Sequence, residues 1–464
     1  MDAQVCNALV RPLIAGRHWM IAVAAAAEAT GWVRFLSEQG ALRSFVLAGS
    51  TGTGSLPSSD HAEVEILGLA AEGIMDGIRS FHGALTTLPA GVVRRLDAWD
   101  PDRTARVLVA SFTSDHPIAG RRPYGARRVA WERLEDKMTV DALWDAAEVD
   151  RAPSRVVPIE QGLLLAAAAE LDEGNGTVWV GDNRPGWHGG ADRLRWVRTR
   201  EDGESAVAFL AEQHCFARVM PFLRGVPCSI HGMVYPGAVI TFRPVEMMVF
   251  AVPGMPLLRY AGFATFWDPP ENDREYMRET ARRVGRHLRR EFGYRGGFTV
   301  DGVLTERGFL PTELNARGGG GLGAISAGAP DVPLGFLLRA LVAGDALEYR
   351  PAALEDLVLD GADRRRGGGG HLVVADGPTE TVRLRLAYTG EGFRRANDDE
   401  DCDGTLDFGP ALGGGFVRFR PDPDRTPVGP SPGERVLEAF RFADSEWGTG
   451  IGPLQLLPGD SSTI

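Results

Sequence analysis

Residues 296–317 constrain this chain more than any other stretch. Gly296-Gly297-Phe298-Thr299-Val300-Asp301-Gly302 is followed, after a turn at Glu306-Arg307-Gly308, by Pro311-Thr312-Glu313-Leu314-Asn315-Ala316-Arg317. β-Branched and aromatic residues on both sides of a Gly turn predict two antiparallel strands. Side by side, they let Asp301 and Glu313 face each other across the ladder. Glu313, Asn315 and Arg317 are spaced two apart, so an extended backbone points all three to one face. Two carboxylates and an amide oxygen at one spot form a hard-oxygen set of the kind Mg²⁺ takes, usually with phosphates completing its octahedron. Arg317 adds a planar fork for a carboxylate or phosphate. Any one of these acids alone reads as an incidental charge on a solvated hairpin. The whole set, held between apolar strands with glycines around it, points to a site.

Bulk properties frame that site. A chain of 464 residues has room for about three domains at roughly 100–200 residues each. The net charge is −12, and no long Lys/Arg block interleaves with aromatics. That argues against nucleic acid as the main partner, which needs a basic footprint. Cys6, Cys215, Cys228 and Cys402 show no C-x-x-C spacing, so neither a zinc site nor a disulfide framework is expected. Arg11 and Arg17 precede an apolar run over 19–27 that ends in Ala27-Glu28-Ala29, which imitates a secretion signal. The alternative is a buried, Ala-rich helix continuing through Trp32, Phe35 and Leu36 at helical spacing, and that is the expectation. No run reaches the ~18 apolar residues of a membrane span.

The order of elements predicts an α/β protein. Residues 1–120 read as a small α/β unit with strands at 44–47 and 106–112. The turn Gly49-Ser50-Thr51-Gly52-Thr53-Gly54 lacks the Lys-Ser/Thr ending of a phosphate loop and reads as a flexible loop after a strand. An amphipathic helix is expected over 131–148, carrying Asp136-Lys137. A helix over 163–171, strands at 178–180 and 194–197, a helix over 204–213 and a strand at 216–220 follow. Residues 229–235 and 239–243 form a hairpin through Pro236-Gly237. A long, Arg-rich helix covers 273–292, and an apolar helix lies near 331–343. Residues 367–370 are four glycines after Arg364-Arg365-Arg366, which reads as a flexible linker or loop. Short strands at 372–375, 382–388 and 416–419 then make up a small α+β module.

Asp301 followed a dozen residues later by Glu313-x-Asn315-x-Arg317 resembles the metal-binding signature of the ATP-grasp superfamily. The text around it, 293–304 and 308–317, together with 218–232 and Phe242-Arg243-Pro244-Val245-Glu246, is similar to the peptide ligases related to that of pheganomycin biosynthesis. The resemblance covers roughly residues 120–325. It implies an ATP-grasp fold with a pre-ATP-grasp α/β domain over 1–120, a nucleotide- and metal-binding core over 121–345, and a family-specific α+β domain over 346–464. It implies ATP and Mg²⁺ as cofactors and an amide-forming reaction through an acyl phosphate that releases ADP. The partners would be an amino-acid-like carboxylate donor and a peptide or amino-acid amine acceptor, in peptide natural-product biosynthesis. A cytoplasmic location follows from the need for ATP. Ligation of other amino-acid pairs and a non-catalytic ATP-binding role stay open, as does a homodimer.

Carried over residue by residue, Asp301, Glu313 and Asn315 would hold the metal. Lys137 matches the first phosphate-contacting lysine. Gly186-Trp187-His188-Gly189-Gly190 matches the mobile loop that closes over the phosphates, and Met220, Pro221 and Phe222 the segment that clamps adenine. Arg243, Arg295 and Arg317 would be the basic groups at the reacting centre. One departure stands out: Val178-Trp179-Val180-Gly181 lacks the second lysine common in the superfamily, leaving Arg184 or a backbone contact to replace it.

Two motifs are set aside. Gly318-x-Gly320-x-x-Gly323 copies a dinucleotide fingerprint outside a βαβ unit, and reads better as backbone that must pass close to a ligand. Asp399-x-Asp401-x-Asp403-Gly404 starts like an EF-hand loop but has Pro410 where the bidentate Glu is required. The acidic run 398–403 is instead expected to draw a protonated amine acceptor to a mobile C-terminal module.

Overall fold

A parallel, doubly wound sheet opens the chain. The structure, a computed structural model, describes residues 2–71, 73–110, 112–184, 186 and 188–459. The strand order is Ala62–Ile66, Ser44–Ser50, Trp19–Ala25 and Arg106–Val109, with every neighbour parallel. The expected helix over 19–27 is therefore a strand. Trp19, Ile21 and Val23 pack to one side with Val10, Ile14, Val33 and Leu36. Met20 and Ala22 pack to the other with Phe81, Leu85, Val92 and Leu96. A strand buried on both faces reads as an unbroken apolar run, which periodicity cannot tell from a buried helix. The helix begins only at Ala29–Glu38.

The middle of the chain builds two antiparallel sheets. The smaller has the order Arg155–Pro158, Phe216–Pro221, Thr177–Gly181, Leu194–Val197. Helices Gln161–Leu171 and Arg200–Ala211 cover one of its faces through Leu164, Leu171, Ala206 and Leu210, packed on Trp179 and Val219. The larger sheet has twelve strands, with Gly308–Asn315 at one end and Phe393–Arg395 at the other. Helix Glu271–Phe292 buries Met277, Ala281, Val284 and Leu288 against it.

The expected helix over 131–148 is broken. A 3-10 segment, Val129–Glu135, is followed by extended backbone at Asp136 and then by helix Val140–Ala146. The Asp136 carboxylate accepts the Met138 N–H at 2.9 Å, a local bond that competes with helix continuation.

The four glycines after Arg366 are not a linker. Strand Gly368–Val374 pairs with Leu258–Ala264 on one side and Gly414–Pro421 on the other. A Cβ on Gly370 would stand 2.3 Å from the Val436 side chain. At Gly370 the cause is helix Gly433–Trp447, which packs directly onto the strand's backbone; Gly368 and Gly369 take positive φ (96° and 152°), and a Cβ there would stand 2.1 Å and 2.2 Å from the Phe263 and Phe419 carbonyl oxygens. The C-terminal strands thus extend the same sheet that carries the Asp301 hairpin. All four cysteines are free, and among the described residues no helix is long and apolar enough to cross a membrane.

Candidate active site

The hairpin expected from the sequence is Gly296–Thr305 paired with Gly308–Asn315. Asp301 stands directly opposite Glu313, and Thr299 opposite Asn315. The register then slips to pair Gly302 with Pro311, leaving Thr312 as the extra residue of a β-bulge. Pro311 offers no N–H and is tolerated because this strand is the sheet's edge. Beyond the bulge, Leu310 packs beside Met220 in the cleft, while Phe309 and Leu314 go into the core under helix Glu271–Phe292.

Around the acids runs a continuous polar network. Asp301 accepts the Ser229 hydroxyl and the Asn315 side-chain N–H, the latter at 2.8 Å. Arg317 donates to Asn315 Oδ1 at 2.7 Å and faces Glu135 at 3.4 Å. Its guanidinium lies 3.8 Å over the Phe112 ring. Glu135 in turn pairs with Arg127 at 2.9 Å. Burial, and then the charge of Glu313, holds the Asp301 carboxyl above the usual carboxylate range, against the opposing pull of Ser229, Arg317 and Lys137. A pair of facing acids under that strain favours a cation between them.

Lys137 reaches this pair because the chain breaks at Asp136. Its ammonium donates to Glu313 at 3.1 Å and to the His188 carbonyl at 3.2 Å, and the residue is 8% exposed. One lysine thereby ties the hairpin to the glycine loop. In that loop Gly186 and Gly190 have positive φ (103° and 60°). A Cβ on Gly189 would meet Met75 at 3.8 Å, and one on Gly190 would meet Tyr260 at 3.7 Å. Trp187 lies outside the described residues. The His188 ring shares a hydrogen with the Gly181 carbonyl at 3.0 Å, and burial, helped by Lys137, lowers its pKa to about 3. It is a neutral ring that donates through Nε2.

Met220 and Pro221 end one of the two inner strands of the small sheet, and Phe222 follows it directly. Met220 joins Ala152, Leu223 and Leu310 in an apolar cluster between the two sheets. Phe222 stacks on Trp196 with centroids 4.3 Å apart, and its N–H donates to Gly176 O at 3.0 Å.

Three expected residues are engaged elsewhere. Arg243 is buried and held by Asp268 at 2.5 Å and by Asp363. Arg295 donates to Val342 O at 3.2 Å, in the last turn of helix Leu334–Ala343, six residues along the strand from Asp301. Arg184 is exposed and contacts Cys215. The structure brings none of these to the hairpin acids by a hydrogen bond or ion pair among the described residues.

Other members of the network escape a reading of the sequence. Glu135 and Arg127 carry no local motif, and Ser229 lies inside the stretch 218–232 with no feature that marks it out. Arg218, on the small sheet, is 2% exposed and donates to Thr312 O at 3.0 Å across the cleft and to Asp141 at 2.6 Å. The glycines at 319–321 are explained by contact: a Cβ on Gly319 would stand 2.7 Å from the Thr299 hydroxyl, one on Gly320 2.6 Å from Phe263 and one on Gly321 2.6 Å from His231.

No protein-family model and no curated protein sequence matches the chain. Solved structures do. The biotin carboxylase domain of the 2-oxoglutarate carboxylase of Hydrogenobacter thermophilus, complexed with MgADP, ADP and bicarbonate, aligns over 88% of this chain and 86% of its own at 14% identity and a TM-score of 0.54. Biotin carboxylase of Campylobacter jejuni aligns over 87% of both chains at 13% identity and a TM-score of 0.53. Phosphoribosylamine–glycine ligase of Thermotoga maritima aligns over 92% of this chain and 96% of its own, at 14% identity and a TM-score of 0.50. The chain has the ATP-grasp fold. At these identities the likeness is one of fold. Within that ATP-grasp fold, the cleft between the small sheet and the hairpin end of the large one holds Asp301, Glu313, Asn315, Lys137 and Arg317 together.

Proposed function

We propose that this chain is an ATP- and Mg²⁺-dependent ligase that joins a carboxylate to an amine through an acyl phosphate, releasing ADP and phosphate. The observation that carries this reading is the hairpin: two facing carboxylates with the Asn315 amide beside them, flanked by Lys137 and Arg317, in an ATP-grasp cleft. The donor set suits a hard divalent cation, since Asp301 and Glu313 confront each other and, among the described residues, Lys137 is the one cation in an ion pair with either acid. Bound between them, Mg²⁺ would supply the charge that neutralises the phosphates.

The chain's own groups account for the remaining needs. The apolar cluster of Ala152, Met220, Leu223 and Leu310 gives a base a slot between the sheets. Lys137 and Arg317 place positive charge on either side of the acids, where phosphoryl charge must be met. Glu135 and Asn315 fix the Arg317 fork, so little reorganisation is needed when charge moves. The glycine loop, anchored by Lys137 at His188, covers the site and limits attack by water on an activated acyl group. The core over 121–345 would carry nucleotide and metal, and 346–464 would help select the acceptor. The narrower reading, with an amino-acid-like donor and a peptide or amino-acid acceptor in peptide natural-product biosynthesis, rests on the resemblance of 218–232 and 293–317.

An ADP-release screen over carboxylates paired with amino acids and peptides, with product masses, tests the proposal. ADP, phosphate and a mass equal to the two substrates less one water are expected. Stoichiometric AMP would overturn it.

A further inference from the structure

The cleft continues past the hairpin along one face of the large sheet. Ring follows ring across neighbouring strands. Phe263 meets Tyr260 at 5.2 Å, Tyr260 meets His371 edge-on at 5.8 Å, and His371 meets Phe416 at 5.4 Å. The near end lies by the hairpin: a Cβ on Gly320 would stand 2.6 Å from Phe263 and one on Gly319 2.7 Å from the Thr299 hydroxyl, and His231, paired with Thr299, faces the Phe263 ring at 6.5 Å. At the far end the register sets Arg418 opposite both His371 and Asp407, and Arg383 opposite Asp407. Three guanidiniums therefore converge on one carboxylate: Asp407 accepts Arg383 at 2.6 Å and Arg418 and Arg420 at 2.8 Å each. Asp407 has no exposed surface, whereas the three arginines keep 31–55% of theirs.

A staple between strands needs one guanidinium for one carboxylate. A second and a third add repulsion and desolvation that the single acid cannot offset. The trio carries a surplus of two positive charges that no other ion pair on its own sheet neutralises among the described residues. Burial, then the neighbouring Arg418, lowers the Arg420 pKa. Glu28 of the first unit, an exposed residue, feels the Arg418 charge but makes no ion pair with it among the described residues. The two units are pinned here. Thr53 donates to Pro410 O and Gly54 N–H to the Thr381 hydroxyl, both at 2.9 Å. Leu412, at the turn between strands Gly404–Ala411 and Gly414–Pro421, lies against Gly49 and Gly77.

We propose that Arg383, Arg418 and Arg420, preset by Asp407, dock a carboxylate at the far end of an elongated substrate whose apolar middle lies along the ring wall and whose reacting end lies at the hairpin. Planar guanidiniums fixed by a buried acid are suited to a carboxylate's two oxygens. The last clause rests on the ligase reading; the anion site itself does not. The acidic run 398–403, expected from the sequence to face a substrate, is not part of it. Arg425 holds Asp403 at 3.0 Å, Arg394 holds Glu400 at 2.5 Å, and the run follows the edge strand Phe393–Arg395 at the end of the sheet away from the hairpin.

The test is calorimetric titration of the full chain, without nucleotide, using phenylalanyl-glycine, its C-terminal amide and its N-acetyl form. The acid should bind at least about tenfold more tightly than the amide, as expected for a charge-assisted pair. Arg418→Gln should abolish that preference, whereas Glu313→Gln, at the other end of the cleft, should keep it. Arg383→Gln, on the most exposed of the three, should reduce it and serves if the Arg418 variant does not fold. Loss of affinity in the N-acetyl form assigns the docked molecule to an amine acceptor, and retained affinity shows that the site reads the carboxylate without the amine; both sustain the site. Equal affinity of acid and amide, or a preference that survives both arginine substitutions, overturns it. A preference that persists in a protein releasing no ADP would remove the ligase reading and leave the anion site standing.

Discussion

Replacing Arg218 by Met should loosen the two sheets that form the nucleotide cleft. The residue is 2% exposed and is the cation through which the small sheet reaches the hairpin's edge strand, at Thr312 O. Met fills similar space, so the loss is electrostatic. A charge-assisted bond to a carbonyl contributes about 1.5–3 kcal/mol. Removing one partner of a buried ion pair costs about 3–5 kcal/mol when the other is left alone. Asp141 is not left alone: its side chain is 21% exposed and Arg151 stands 3.8 Å away. The second cost is therefore mostly relieved, and about 3 kcal/mol in all is expected. A urea titration followed by tryptophan fluorescence reads this as an earlier midpoint. Because Thr312 is the bulge residue beside Glu313, the apparent KM for ATP should also rise. A variant that unfolds within about 0.5 kcal/mol of the parent, the ordinary range for surface changes, would refute the account.

Glu313→Gln keeps an oxygen to accept Lys137 but removes a charge from the proposed metal set, so ADP release should fall about 10²–10³-fold with the melting temperature nearly unchanged. Near-normal turnover at saturating Mg²⁺ and ATP would exclude Glu313 as a ligand. His188 supplies a pH signature. Its folded pKa of about 3 lies below the ordinary 6.5, so the unfolded chain binds the extra proton. Its contribution is complete above pH 6.5 and declines as the pH falls, by at most about 1.4 kcal/mol per unit. His188→Gln should flatten the stability–pH slope between pH 5 and 6.5; an unchanged slope would show that His188 titrates normally.

Much of the site was legible in the sequence because strand pairing across a short turn is local. The spacing from Asp301 to Glu313 specified two facing acids, and alternation placed Asn315 beside them. The bulge at Thr312 was not legible, since a one-residue slip leaves no periodic trace; it is what turns Leu310 into the cleft. Lys137 was placed by resemblance alone. Its partner Glu313 lies 176 positions away, and the link depends on the break at Asp136, where a side chain outcompetes the helix. Arg243 and Arg295 show the reverse: a basic residue in a suggestive motif is claimed by Asp268 and Asp363, or by the end of a helix, once the chain is packed.

What the sequence by itself determined is therefore what neighbours along the chain decide: turns, alternating strands, the amphipathic Arg-rich helix, and the face that Asp301 and Glu313 share. Tertiary structure alone decided which apolar runs became strands, as at Trp19–Ala25, and why three consecutive glycines open the strand Gly368–Val374. It also decided that Asp407 collects three arginines from two flanking strands. Burial on both faces erases the periodic signal, and close approach of distant backbone or charge is set by packing partners far away in the chain. Hydrophobic burial is non-directional, so the pattern of a segment states that it will be covered, while only the assembled sheet states by what.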